Sequence, residues 1–174
     1  TRMAMQHLFE LGHTRIAYSG PLPPFDSSPQ ESRNSAPSQN RGLELDILTS
    51  HSSLRDRYET YILQMHSRGL EPILSTADSP ETAEQYLKNV MHNKGATAIL
   101  AYGHMGALNL LQAAHALHIP VPEQLSLMCF CDDYANRVMS PKLSFIDLCS
   151  EKMGKVAAEL LLRQIQHPEQ VSPV

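Results

Sequence analysis

The segment ATAILAYGHMGALNLLQAAHALHIPVPEQLSLMCFCDD, residues 96–133, decides the fold class. It begins with an apolar run (96–101), continues with apolar residues at helical spacing (105–117) and ends in a second apolar run (125–130). Continuous rather than alternating apolar strands are typical of parallel sheets that helices cover on both faces. The segment therefore predicts a strand–helix–strand unit of an α/β domain.

The rest of the 174-residue chain repeats this alternation. It predicts further strands over 15–19, 71–75 and 143–148, and helices over 3–11, 54–68, 78–93 and 151–166. Together these elements predict a three-layer αβα domain built on one parallel sheet. Ligands of such open sheets bind beyond the carboxyl ends of the strands, so the loops after Ser19, Ser75, Ala101 and Phe130 are the places to search for a site.

Residues 21–53 interrupt the pattern. They are rich in Ser, Pro, Asn and Gln, and their apolar cluster is confined to 43–48. A loop this long inside a compact domain is either disordered or functional. The composition favours a flexible insertion; the alternative is an ordered loop that covers the cleft as a lid.

Composition excludes several classes of protein. Lys and Arg number 14 against 18 Asp and Glu, and the basic residues form no run, so this segment alone is a poor binder of nucleic-acid phosphates. The three cysteines are odd in number and late in the chain, unlike those of a secreted disulfide scaffold. No apolar stretch reaches the roughly 18 residues of a membrane span, and no signal peptide precedes the first helix. We expect a cytoplasmic protein without a membrane partner.

No catalytic signature is present. The glycines form neither a dinucleotide fingerprint nor a Walker loop, and there is no nucleophile elbow. His115 and His118 lie one helical turn apart, where a polar helix face is the better explanation than a metal site. Cys129 and Cys131 share one face of a strand and are interpreted as core thiols, with a soft-metal site as the alternative. We expect no enzymatic activity, no cofactor and no metal.

Several polar groups do converge on the predicted cleft. Arg57 lies in the first turn of the helix after the insertion, Gly103 and His104 follow the third strand, and Asp132 and Asp133 follow the fourth. An arginine and a carboxylate at one end of a sheet suit a small polyhydroxylated or charged ligand, because one donates and the other accepts hydrogen bonds. The alternative is a solvated helix charge and a capped turn. Spacing alone leaves both open.

The chain resembles the lactose/galactose-repressor (LacI/GalR) family of bacterial transcription regulators. AMQHLFELGHTRIAYSGP (4–21) is similar to the family's helix, Leu-Gly-His and strand entry. SSLRDRYETYILQMHSRGLEP (52–72) and the segment 96–133 follow in the family's order. SPKLSFIDLCSEKMGKVAAELLLRQI (140–165) is similar to its crossover and Met-Gly helix. Apart from the insertion, the resemblance covers nearly the whole chain.

The resemblance implies a periplasmic-binding-protein-like core (type I) of two α/β subdomains with an effector between them. Residues 14–142 are similar to the C-terminal, effector-binding subdomain, with the insertion at 21–53. Residues 1–13 are similar to a helix of the N-terminal subdomain, and 143–174 to the crossover and helix that return to it. On this reading the chain is a truncated fragment that lacks the family's helix-turn-helix headpiece. Operator DNA would bind through that headpiece.

The departures from the family bear on the effector. Arg57 matches the arginine that contacts polar groups of family effectors. The family's Asn-Asp pair is here Gly103 and His104, and the first Asp of its Gly-Phe-Asp-Asp turn is Cys131, while Asp132 is retained. These five residues are the predicted effector site. The resemblance implies a small-molecule effector, a sugar or a related polar metabolite. A histidine can donate where an aspartate only accepts, so we hypothesise that this effector is atypical and acidic and that Arg57 and His104 bind it. The alternative is a cleft that no longer binds any effector.

The resemblance also implies a homodimeric repressor whose effector changes operator binding allosterically. It places the dimer interface at Leu108 and at the segment 136–140, with Val138 and Met139. The rival interpretation is a solute-binding protein of a sugar transport system, which shares the two-lobed fold. The unpaired cysteines favour the regulator, since a periplasm is oxidising.

Overall fold

The computed structural model describes residues 1–21, 52–75, 80–131 and 141–167. Within them, strands and helices alternate as the sequence predicts. The strands are β1 (Ile16–Ser19), β2 (Ile73–Ser75), β3 (Ala98–Ala101), β4 (Ser126–Cys131) and β5 (Ser144–Asp147). The helices are α1 (Arg2–Glu10), α2 (Ser52–His66), α3 (Pro80–Lys88) with a π-helical turn (Asn89–Asn93) after it, α4 (His104–Ala116) and α5 (Ser150–Gln166).

The five strands form one parallel sheet in the order β2-β1-β3-β4-β5. The chain passes from β1 to β2 on one side and then returns to place β3 on the other side of β1. The strand order therefore reverses between β1 and β3, which creates a crevice beyond the carboxyl ends of these two strands. The predicted three-layer fold is confirmed.

Each face of the sheet has its own buried cluster, because successive side chains of a strand point to opposite faces. Ala17, Ile99 and Leu127 pack with side chains of α3 and α4 on one face. Tyr18, Leu100 and Phe130 pack with those of α1 and α2 on the other. The strands are thus buried on both sides, as their unbroken apolar runs predict.

α1 packs against this same sheet. Its Ala4, Met5 and Leu8 are buried in the cluster that also contains Tyr18. Gly12 ends the helix with φ +88°, and the amides of Gly12 and His13 donate to the carbonyls of Phe9 and Leu8 at 2.9 and 3.0 Å. This pair of bonds is a Schellman cap, whose left-handed residue is usually glycine. The helix end predicted at Gly12 is confirmed.

α5 leaves the sheet after β5, and none of its residues is buried. Several of its large apolar side chains, among them Met153, Leu160 and Ile165, are more than half exposed. Among the described residues, no helix is both long and apolar enough to cross a membrane. Most of the 21–53 insertion lies outside the described residues. The division of the chain at residues 13 and 143 stays a prediction, to which the structure adds that α1 and β5 both contact the sheet of 14–142.

Candidate functional site

The carboxyl ends of β1 and β3 meet tightly at the crevice where the strand order reverses. The amide of Tyr102, directly after β3, donates to the carbonyl of Ser19 at 2.7 Å. Gly20 follows β1 and is buried there. A Cβ atom on Gly20 would lie 2.5 Å from the Cβ of Tyr102. This approach explains the glycine, since any side chain would force the two strand ends apart.

Arg57 lies over this junction. α2 carries it in its second turn, and its Nη1 donates to the carbonyl of Tyr102 at 2.8 Å. The guanidinium also lies 4.6 Å from the ring centre of Tyr102 and 4.3 Å from that of Phe130. Both distances are within the range of cation–π attraction. Three contacts with described residues therefore hold this half-buried arginine, whose guanidinium carries five N–H donors.

Aromatic side chains form the floor of the site. The ring of Tyr18 lies 5.3 Å from that of Tyr61 and 6.3 Å from that of Tyr58, centre to centre. Ser53 Oγ and Tyr102 Oη are 3.2 Å apart and share a hydrogen bond. Burial raises the pKa of the Tyr18 hydroxyl, and the nearby positive charge of Arg57 partly opposes that rise. The Tyr18 hydroxyl is therefore a neutral donor near pH 7.

Gly103 and His104 form the start of α4 beside the arginine. Gly103 is the N-cap residue, in an extended conformation, and His104 is the first helical residue and is exposed. The first amides of a helix have no partner within it, so this end attracts negative charge. Arg57 donates to the carbonyl of Tyr102, and Tyr102 directly precedes Gly103 and His104 in the chain. These three predicted site residues are therefore neighbours.

The other predicted site residues are placed differently. Cys131 ends β4 with its side chain buried in the cluster with Cys129, on the face of the sheet opposite Phe130. The expected core position of both thiols is confirmed, and burial beside Cys131 raises the pKa of Cys129 to about 12. Asp132 and Asp133 lie outside the described residues. Of the predicted dimer contacts, Leu108 is partly buried against the core, and Val138 and Met139 also lie outside the described part of the chain.

Sequence reasoning did not single out Tyr102, Phe130 or Tyr18. Tyr102 and Phe130 had an available signal, because each stands at the carboxyl end of a predicted strand. Tyr18 had none, since an aromatic residue inside an apolar strand is ordinarily core. His115, in the last turn of α4, and His118, just after that helix, are both exposed. Within the described ranges, no three His, Cys, Asp or Glu side chains gather where they could hold a metal ion.

The sequence of the chain matches a known protein family and curated relatives. Residues 5–174 match the family described as a periplasmic binding protein-like domain. The HTH-type transcriptional repressor PurR of Actinobacillus pleuropneumoniae serotype 3 (strain JL03) is 25% identical over 136 residues. That match takes in 74% of this chain and 40% of the repressor.

Solved structures share the fold. A LacI-family transcriptional regulatory protein from Corynebacterium glutamicum superposes with a TM-score of 0.70 at 24% identity, over 99% of this chain and 57% of that one. A LacI family transcriptional regulator from Enterococcus faecium with bound ribose has a TM-score of 0.61 at 25% identity, over 98% of this chain and 55% of that one. The chain thus spans little more than half of these solved structures and two fifths of the curated repressor.

Proposed function

The chain belongs to the periplasmic binding protein-like domain family, and from this premise we propose that it is the effector-binding core of a LacI-type bacterial transcription regulator. The observation that carries the proposal is the position of Arg57. It is held by Tyr102 and Phe130 at the crevice between β1 and β3, where open parallel sheets bind their ligands. The repressor name of the curated relative supports the regulatory role.

The chemistry of the site supports an oxygen-rich, acidic small molecule as the effector. Arg57 offers a fork of donors, and the amides at the start of α4 favour an anion. His104 adds a third donor beside them. Arg57 and His104 together are proposed to bind the acidic group of the effector. Asp132 is proposed to accept hydrogen bonds from ligand hydroxyls. A polyhydroxylated carboxylate can form hydrogen bonds with all of these groups, whereas a hydrocarbon can form none.

The proposed regulation is allosteric and not enzymatic. An effector that binds one closure state of a two-subdomain core better than another shifts the protein towards that state, and the shift cannot exceed the difference in affinity. Operator DNA would bind through a helix-turn-helix segment elsewhere in the protein, and the regulator would act in the cytoplasm as a homodimer. Leu108, Val138 and Met139 remain the proposed dimer contacts.

A solute-binding protein of a sugar transport system is the alternative, and the family's own description favours it as the second candidate. The reading frame upstream of Thr1 separates the two. A helix-turn-helix segment there supports the regulator, and a signal peptide contradicts it.

The ligand proposal has a matched pair of variants. Arg55 lies two residues from Arg57 on α2 and is exposed, so Arg55→Ala removes the same charge without touching the crevice. Calorimetric titration would use D-ribonate, a polyhydroxylated carboxylate, and ribitol, which has a hydroxymethyl group in its place. We expect D-ribonate to bind more tightly, and Arg57→Ala to weaken its binding at least about tenfold because a charge-assisted hydrogen bond is lost. Unchanged affinity in Arg57→Ala, or equal losses in both variants, would contradict the assignment.

A further inference from the structure

Tyr18 and Tyr61 are equally buried but differ in whether their hydroxyl groups are hydrogen-bonded. Both side chains are fully buried, at 0% exposure, and their rings pack with centres 5.3 Å apart and planes tilted by 31°. The Tyr61 hydroxyl donates to the carbonyl of Ile16 and accepts from the amide of Ile73, each at 2.8 Å. The Tyr18 hydroxyl has no hydrogen-bond partner in the described part of the chain. Buried hydroxyls are ordinarily paired, so the exception calls for an explanation.

The two hydroxyls lie towards opposite ends of β1. That of Tyr61 bonds Ile16 at the start of the strand, whereas that of Tyr18 lies 3.3 Å from where a Cβ of Gly20 would be, just past the end of the strand. Tyr18 thus extends towards the crevice, and Arg57 and Tyr102 are close enough to influence its ionisation. Its hydroxyl, which has no partner among the described residues, is therefore near the arginine that we assign to the ligand.

An unpaired buried hydroxyl lowers stability in the ligand-free chain. A phenylalanine would fill the same space without that cost, since replacing an unsatisfied polar group by an apolar one of the same shape is neutral or favourable. The same hydroxyl strengthens ligand binding when the ligand supplies a hydrogen-bond acceptor. A site built to hydrogen-bond a ligand group discriminates strongly against analogues that lack that group.

We propose that the Tyr18 hydroxyl is a specificity-determining contact of this site, which donates to an oxygen of the same polyhydroxylated carboxylate that Arg57 binds. The inference rests on the proposed function. Reaching the hydroxyl requires the Arg57 guanidinium or the Tyr102 side chain to shift. Within the described part of the chain, Arg57 is held by its hydrogen bond to the Tyr102 carbonyl and the Tyr102 hydroxyl by its bond with Ser53, besides ring contacts. A ligand carboxylate can replace these bonds with its own.

The test compares Tyr18→Phe with Tyr61→Phe, which removes a fully bonded hydroxyl from the adjoining ring. Thermal unfolding of the ligand-free chains and calorimetric titration with D-ribonate are measured for both. We expect Tyr18→Phe to melt at or above the wild-type temperature and to bind D-ribonate about tenfold more weakly. Tyr61→Phe should melt lower and keep its affinity for D-ribonate at a temperature where it is folded.

Three outcomes would overturn the inference, and they are distinguishable. A Tyr18→Phe variant that melts as low as Tyr61→Phe would show a structural partner, such as a buried water. Unchanged D-ribonate affinity in Tyr18→Phe, with the loss in Arg57→Ala intact, would remove Tyr18 from the site and leave the proposed function standing. Wild-type chain that binds neither D-ribonate nor ribitol would contradict the proposed ligand class and the role of Tyr18 together.

Discussion

Replacing Tyr61 by phenylalanine tests how α2 is attached to the sheet. The Tyr61 hydroxyl bonds the first residue of β1 and the first residue of β2, at 2.8 Å each, and so joins a helix to two neighbouring strands. Ile16 and Ile73 are buried, and β2 is an edge strand of only three residues. The variant keeps the ring and its packing but removes both bonds.

The expected cost follows from the two bonds that are lost. A typical intramolecular hydrogen bond contributes about 0.5–1.5 kcal/mol net, and a buried group left without a partner costs about 1–3 kcal/mol. The Ile73 amide is the group that would incur this penalty, because Ile73 is buried and its amide donates to the Tyr61 hydroxyl. We therefore expect Tyr61→Phe to lower the free energy of unfolding by about 2–3 kcal/mol.

Urea unfolding followed by far-UV circular dichroism is the appropriate assay, because the chain contains no tryptophan. At a urea m-value of about 2 kcal/mol per molar, the expected cost moves the midpoint by roughly 1–1.5 M. Tyr18→Phe is the control, with an expected midpoint at or above that of the wild type. A Tyr61→Phe midpoint within about 0.3 M of the wild type would refute the reasoning, since the hydroxyl would then contribute nothing to the attachment.

Three further predictions concern the ends of the elements and the thiols. Gly12→Ala should cost about 1–2 kcal/mol because φ is +88° there, whereas Gly154→Ala within α5 should be neutral or stabilising; urea midpoints compare them. Burial lowers the pKa of His13 below its ordinary 6.5, so the unfolded chain binds that proton more readily. The free energy of unfolding should therefore be highest above pH 6.5 and decrease as the pH falls below 6.5. In urea unfolding curves measured at decreasing pH, His13→Gln should show a smaller decrease than the wild type. Exposed Cys149 should react at once with a thiol reagent, and buried Cys129 only in urea; equal rates would contradict the burial.

His13 also shows how a short motif acts through the fold. Its two ring nitrogens lie 2.9 and 3.0 Å from the hydroxyls of Thr97 and Ser126, just before β3 and within β4. The residue after the Schellman glycine therefore ties α1 to the amino ends of two strands. The site around Arg57 lies at the carboxyl ends of the same sheet, so the motif contributes to stability and not to ligand contact.

Much of the fold was predictable from local pattern. Unbroken apolar runs indicated strands buried on both faces, and Gly12 marked a helix end, because these signals depend on residues that are close in sequence. Arg57 could be assigned to a cleft for the same reason: it follows the start of a helix, and helix starts in α/β domains lie near the carboxyl edge of the sheet.

The strand order and the partners of individual side chains depended on contacts between distant residues. The reversal between β1 and β3 places Gly20 against Tyr102, and this selects the crevice from the several loops that the sequence left equivalent. The pleat directs Phe130 towards Arg57 and its neighbour Cys131 into the opposite core. Tyr18 and Tyr61 are the same residue type in comparable burial, yet one hydroxyl is bonded and the other is not. The sequence determined which segments are strands and which are helices, because hydrophobic periodicity is a local property. Tertiary structure alone decided which polar groups contact each other, because these contacts depend on where folding brings the ends of separate strands together.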